Sequence, residues 1–334
     1  MTRQIYIVLL AIFISGHVSA QDIHWSQYDH NPVFQNPASV GQFNGDYRFH
    51  ANFRDQWRSV TVPFQTLQIS AEAKGVLLDN LNFGMFMFSD AAGDGTFRTI
   101  ELQPSVSYVH KLTNDSTHLI RGGVQLGINL RSFNAGAFNF DNQWNGTFFD
   151  NALPTNENFA NQRRTNFTWG TGLGYEYQES KRKRVMAGIG LFNINRPNQG
   201  FFGEKIQRDI RFNLFARAEY EIGFDWDILP SIQLNLQGKY REFIIGSQVR
   251  YILKDRLGEY QSIMAGAFLR SSDAGYIVVG GEYQNWWAGL SYDINFSSLY
   301  VASNARGGLE ISVRYILQRF NPSNIKHRVC PDYI

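Results

Sequence analysis

The chain has 334 residues, 15% of them aromatic, with one cysteine and a mean hydropathy of −0.29. That average excludes a bundle of membrane helices, each of which needs about 20 apolar residues. It suits a barrel in which only one face of each strand meets lipid. A formal charge of +2 gives no argument for a nucleic-acid partner, and no linker or composition break divides the chain, so one domain is expected.

Residues 1–20 read as a secretory signal, with Arg3 as the positive end, an apolar run over 5–14, and Val18-Ser19-Ala20 as the small-residue cleavage site. The mature chain then starts at Gln21. Cys330 has no partner within the chain for a disulfide.

Residues 21–45 show neither helical nor strand periodicity and carry the steps Asn31-Pro32 and Asn36-Pro37, which favour extended or turn-rich chain. Yet they contain Trp25, Tyr28, Phe34 and Phe43. So many aromatics in irregular chain imply packing against something. The inside of a barrel is the natural place; the plainer alternative is a periplasmic lead-in.

From residue 46 onward, period-two alternation and turn signals predict strands over 46–57, 64–74, 81–89, 97–111, 119–131, 166–177, 184–193, 207–222, 227–238, 243–254, 260–270, 274–284, 286–294 and 307–317. The pattern is clearest over 119–131, where Ile120, Val124, Leu126, Ile128 and Leu130 alternate with Arg121, Gln125, Asn129 and Arg131. The fold class expected is all-β, an antiparallel outer-membrane barrel of fourteen strands spanning 46–320, with a periplasmic tail over 321–334.

An even strand number puts both ends of the barrel on the periplasmic side, and such barrels join short periplasmic turns to long external loops. With the first strand running outward, the long gaps 132–165, 194–206 and 295–306 all fall outside, and 75–80, 112–116, 178–183, 223–226 and 255–259 fall inside. The longest gap carries Phe133, Phe138, Phe140, Trp144, Phe148, Phe149 and Phe159, which marks it as a cap or a partner-binding surface.

Chemistry is sparse. None of the mature histidines (His24, His30, His50, His110, His118, His327) lies in a catalytic or metal-binding motif, so neither catalysis, cofactor nor metal is expected. Asp90 to Gly95 lacks the spacing of a calcium loop and reads as a hairpin turn. Lys181-Arg182-Lys183-Arg184 falls between strands and reads as a solvated turn. Arg54, Arg121, Arg131, Arg211, Arg217 and Glu219 fall on the polar faces of their strands, where ion pairing across the lumen is expected. Fourteen strands enclose a lumen too wide for wall side chains alone to fill. Residues 21–45 are the obvious filler, with Trp25, Tyr28, Asn31, Pro32, Asn36 and Pro37 holding it, and Arg54 and Trp57 supporting it from the first strand.

The motif Trp25-Ser26-Gln27-Tyr28, Asn31-Pro32, Asn36-Pro37-Ala38 and Gly41, followed by Arg54-Asp55-Gln56-Trp57 and the ending Cys330-Pro331, resembles the PorP/SprF family of Bacteroidetes outer-membrane proteins. The resemblance implies an outer-membrane partner of the type IX secretion and gliding machinery. Some members are thought to secrete or anchor a surface adhesin through its C-terminal domain, and others to serve the core periplasmic machinery. The Asn36-Pro37-Ala38 step is also similar to a box in the N-terminal hatch of FadL-type channels, which pass small hydrophobic solutes. Two functions follow as expectations: an accessory that recognises a cargo protein through loops such as 132–165, or a channel for an apolar solute.

Overall fold

A computed structural model describes residues 22–56, 58, 62–93, 97–150, 152–157, 161–256, 259–271, 273–296 and 306–319. The expected signal peptide and its cleavage site, Trp57, Phe159, and the tail with Cys330 and Pro331 lie outside the described residues. Fourteen antiparallel strands run in sequence order: β1 Tyr47–Gln56, β2 Phe64–Ala73, β3 Leu81–Ala92, β4 Phe97–Lys111, β5 His118–Ser132, β6 Arg163–Gln178, β7 Arg184–Phe192, β8 Arg211–Glu221, β9 Trp226–Gln237, β10 Tyr240–Arg256, β11 Glu259–Arg270, β12 Ala274–Tyr283, β13 Trp286–Asn295 and β14 Arg306–Leu317. Each strand pairs with its neighbours in sequence. The ring closes where β1 meets β14 from Tyr47↔Leu317 to Gln56↔Gly308.

Alternation sets which way each side chain points. On β13, Trp286, Leu290, Tyr292 and Ile294 are exposed on the outside while Trp287, Ser291, Asp293 and Asn295 are buried within. The outside is a band of exposed Leu, Ile, Val and Phe with aromatics at the edge that carries the short turns, where Trp226 lies tilted beside Tyr251 and Trp286 beside Tyr315, each with ring centroids 4.6 Å apart.

Loop lengths divide as the alternation implies. The connections after even strands, such as 74–80, 179–183 and 284–285, are short, while 133–162, 193–210 and 296–305 after odd strands are long. Three strand starts differ from expectation by three or more residues. β8 begins at Arg211, because Gln207 pairs instead with Asn198 inside the preceding loop. β6 and β10 begin earlier, at Arg163 and Tyr240. The early start of β10 follows from the tight turn at Gly238, whose φ of +57° is the left-handed geometry of a two-residue hairpin.

Candidate functional site

Residues 22–45 lie on the polar inner faces of the strands. Three single turns break the chain: 3-10 turns Tyr28–His30 and Pro37–Ser39 and one α-helical turn Pro32–Gln35, with Pro32 and Pro37 each at the start of its turn, where a missing N–H costs nothing. Residues 25–28 and 31–43 are all buried.

Charge holds the first part. Glu310 on β14 accepts the backbone N–H groups of Ser26 (2.7 Å) and Gln27 (2.9 Å), the Asn52 amide (2.8 Å) and Arg54 Nη1 (2.9 Å). Ser26 Oγ donates to Asp293 (2.6 Å) and accepts from Arg54 (2.5 Å) and Arg270 (3.0 Å). Arg54 and Arg270 both reach Asp293, at 2.7 and 3.2 Å. Buried charges are tolerated only when paired and hydrogen-bonded. Here the backbone of the N-terminal segment supplies part of that satisfaction, so wall and segment complete one another.

Apolar contacts seat the aromatics. Trp25 packs with Val33, Phe34, Val40, Phe86 and Phe88, while Tyr28 joins Ile244, Phe268, Tyr276 and Val278 and shares a 2.8 Å hydrogen bond with Ser231. The buried Asn31 acts through its carbonyl, which accepts from Phe34 and Gln35. Further along, Arg48 makes a two-pronged pair with Glu72 at 2.6 and 2.8 Å, and Gly41 N–H donates to the same carboxylate at 2.9 Å. Glu176 gathers Arg121, Arg184 and Gln42.

The Asn36-Pro37-Ala38 step fits a notch made of glycine. Asn36 Oδ1 caps Ala38 N–H at 2.9 Å while its Nδ2 donates to the Leu173 carbonyl at 2.8 Å. A Cβ on Gly172 of β6 would overlap Asn36 Oδ1, one on Gly188 of β7 would lie 2.5 Å from its Nδ2, and one on Gly123 of β5 would overlap the Pro37 and Ala38 backbone. Glycine at these places is therefore a condition of the segment's approach.

The outer rim carries the second group of expected residues. Phe138, Trp144, Phe148 and Phe149 are exposed, and Trp144 and Phe149 pair as a small bridge with rings 5.1 Å apart. Phe140 is half-buried against Phe138. Phe133 faces a neighbouring loop instead, edge-on to Phe201 at 5.0 Å. The basic turn differs from the solvated turn expected. Arg182 is tied to Asp227 and Glu221 and to the carbonyls of Gly223 and Phe224, and Arg184 to Glu176; Lys181 is exposed.

The model of a family described as type IX secretion system membrane protein PorP/SprF matches residues 17–315. The chain belongs to the PorP/SprF family. Comparison with curated protein sequences found no match. Among solved structures, this PorP/SprF barrel is similar to the Ralstonia pickettii toluene transporter TbuX (TM-score 0.51, 10% identity, 86% of this chain and 94% of that one). It is also similar to the P. putida toluene transporter TodX (TM-score 0.50, 11% identity, 85% and 93%). At these identities the likeness shows the fold alone, an outer-membrane barrel.

Sequence reading found Arg54 and the N-terminal motif but missed Glu310, Asp293, Arg270, Glu72 and Arg208, which do as much of the holding. Their signal was present. Each carboxylate on β2, β13 and β14 stands at an inward position of an alternating strand, where an unpaired charge would be costly. An apolar hollow of about 490 Å³, lined by Phe49, Ala51, Ile69, Ala71, Met85 and Trp286, lies on the outer wall rather than in the lumen.

Proposed function

We propose that this PorP/SprF barrel is an outer-membrane accessory of type IX secretion that binds a secreted adhesin, or its C-terminal domain, at its outer face and helps to secrete or anchor it for gliding or adhesion. The segment 22–45 serves as a plug, held by Trp25, Ser26, Gln27, Tyr28, Asn36, Pro37 and Ala38 with Arg54. The observation that carries the reading is the pairing of a lumen crossed by a segment tied to the wall through Glu310, Asp293 and Glu72 with an exposed aromatic rim. A barrel filled in this way is suited to display and anchoring, and Phe138, Trp144, Phe148 and Phe149 offer the large, rigid contact area that protein interfaces favour. Partners are the adhesin, other secretion or gliding components at the periplasmic face, and outer-membrane lipid along the apolar band.

A second reading, a channel for a small hydrophobic solute, draws on the Asn36-Pro37-Ala38 box and on the fold shared with the toluene transporters. The inner wall opposes it, being lined by charged and amide side chains such as Arg48, Gln68, Glu101, Gln125 and Asn213.

Purification of the tagged protein from its native outer membrane separates the two readings. Co-purification of a large adhesin supports cargo binding; a barrel carrying only a small apolar molecule supports the channel.

A further inference from the structure

The N-terminal segment runs the length of the lumen, and its leading end is at the outer mouth. Asp22 N–H donates to Gln237 at the outer end of β9 (2.9 Å), and its carboxylate accepts from Asn193 just beyond β7 (3.1 Å). At the other end, Phe43 O accepts from Lys74 Nζ (3.0 Å) and Asp46 N–H donates to the Leu317 carbonyl (3.0 Å), both at the periplasmic rim.

The strongest hold on the leading end comes from an external loop, not from the wall. Arg208 places Nε and Nη2 2.9 and 2.8 Å from Asp22 Oδ1, and its Nη1 reaches Glu101 on β4 at 2.9 Å. Its guanidinium therefore ties three parts of the chain together. Arg208 also stands at the base of a small hairpin within 193–210. Asn198 bridges Gln207, Gln199 N–H donates to Ile206 O (2.7 Å), and Arg208 N–H donates to Pro197 O (3.0 Å). The tip of that hairpin leans on the rim of the longest loop, where Phe201 meets Phe133 and Phe97 at 5.0 and 6.2 Å and Arg131 donates to Gln199 at 2.6 Å.

We propose that the loop 193–210 is a strap that closes the outer mouth by holding Asp22 through Arg208, so that the leading end of the segment is freed from the cell exterior. The inference rests on the reading of the segment as a plug. Its mechanism is local. Whatever shifts the hairpin at its aromatic tip moves Arg208, and movement of Arg208 removes both close contacts to Asp22 Oδ1, leaving Asp22 the longer 3.6 Å contact to Arg211 on β8, while the deeper anchors at Glu310 and Glu72 remain. The outer rim and the lumen are thereby coupled through one side chain.

Single-cysteine labelling in intact cells tests this, in a Cys330→Ser background with a membrane-impermeant maleimide added outside. Ile23→Cys reports the leading end and Val33→Cys the deep part of the plug; gel mobility with and without heating reports that each variant forms a barrel. With Arg208→Ala, and equally with Asp22→Asn, Ile23→Cys is expected to react roughly tenfold faster than with both native residues, while Val33→Cys stays slow. Arg208→Lys, which keeps charge but cannot bridge both carboxylates, should fall between. Equal rates at Ile23→Cys with and without Arg208 would overturn the strap, as would labelling only after the outer membrane is permeabilised. Rapid labelling of Val33→Cys in the otherwise native protein would overturn the plug reading instead.

Discussion

The backbone N–H of Ser26 donates to the Glu310 carboxylate at 2.7 Å, across a separation of 284 residues, so the start of the segment and the last strand of the barrel share one charge centre. Glu310 is also the counter-ion of Arg54, and neither side chain is more than 1% exposed. Glu310→Ala should therefore be severe, since it leaves Arg54 and two backbone donors short of partners. Breaking such a buried pair costs about 3–5 kcal/mol. The expected outcome is a barrel whose heat-induced unfolding midpoint drops and whose Val33→Cys becomes labelled. Glu310→Gln keeps an acceptor and should lie between.

The glycine notch gives a prediction with an internal control. Gly172→Ala places a methyl against Asn36 Oδ1, a side-chain clash that Asn36→Ala relieves, whereas Gly123→Ala meets the backbone of Pro37 and Ala38. The pair Gly172→Ala with Asn36→Ala should thus destabilise by about 0.5–3 kcal/mol less than the sum of its singles. Gly123→Ala with Asn36→Ala should show no such relief. Thermal unfolding of the four variants and their parent measures both couplings.

Acidity acts on groups in the segment. Burial, reinforced by Arg270 and Arg54, holds the His24 imidazole well below its usual pKa, and burial with Arg314 does the same to His30, which also faces Asp29, His50, Arg217 and Arg48. Burial pushes the Asp29 carboxyl up to about 6, against the pull of Arg217. The depressed histidines favour docking above their ordinary pKa and lose that contribution as pH falls below it. The raised Asp29 works oppositely: its contribution is full at low pH and lost as pH rises through about 6. Two histidines outweigh one carboxyl, so acidification from pH 7.5 to 5 should loosen the segment by up to about tenfold per pH unit. The rate of Val33→Cys labelling should rise over that range, more steeply with Asp29→Asn, and should instead fall on acidification with His24→Gln and His30→Gln together, where Asp29 alone remains.

How legible this was in the sequence depends on the range of the forces involved. Strand number and order were readable because alternation is a local property, and residues 119–131 display it without help from the rest of the chain. The misplaced start of β8 shows the limit. The strand expected over 207–222 extends the alternation that starts at Ile210 back to 207, yet Gln207 finds its partner in Asn198 within the loop, a contact that periodicity does not encode. The aromatics of 21–45 pointed to the lumen because irregular chain rich in Trp and Tyr must pack on something. Their partners were hidden, because Glu310 and Asp293 are distant in sequence and meet Ser26 only when the ring closes. Arg208 was hidden for a related reason: periodicity puts it in the strand expected over 207–222, whereas it lies in the loop before β8 with its side chain turned inward to Asp22 and Glu101.

The exposed aromatic loop yields the remaining prediction. Shortening 141–150, which lies wholly outside the barrel strands, should leave barrel stability unchanged, since Trp144, Phe148 and Phe149 are exposed and the Trp144 ring pairs with Phe149 within the same loop. Surface substitutions of this kind usually stay within about 0.5 kcal/mol. The heat-modifiable gel shift of the shortened protein, compared with that of its parent, checks this.

The most direct measurement is purification of the tagged protein, native and shortened at 141–150, from its own outer membrane, with mass spectrometry of what stays bound. A large adhesin or its C-terminal domain that accompanies the native barrel and is lost from the equally stable shortened one is the expected result. Recovery of the native barrel without any such protein, carrying lipid or a small apolar solute instead, would contradict cargo binding at the outer face.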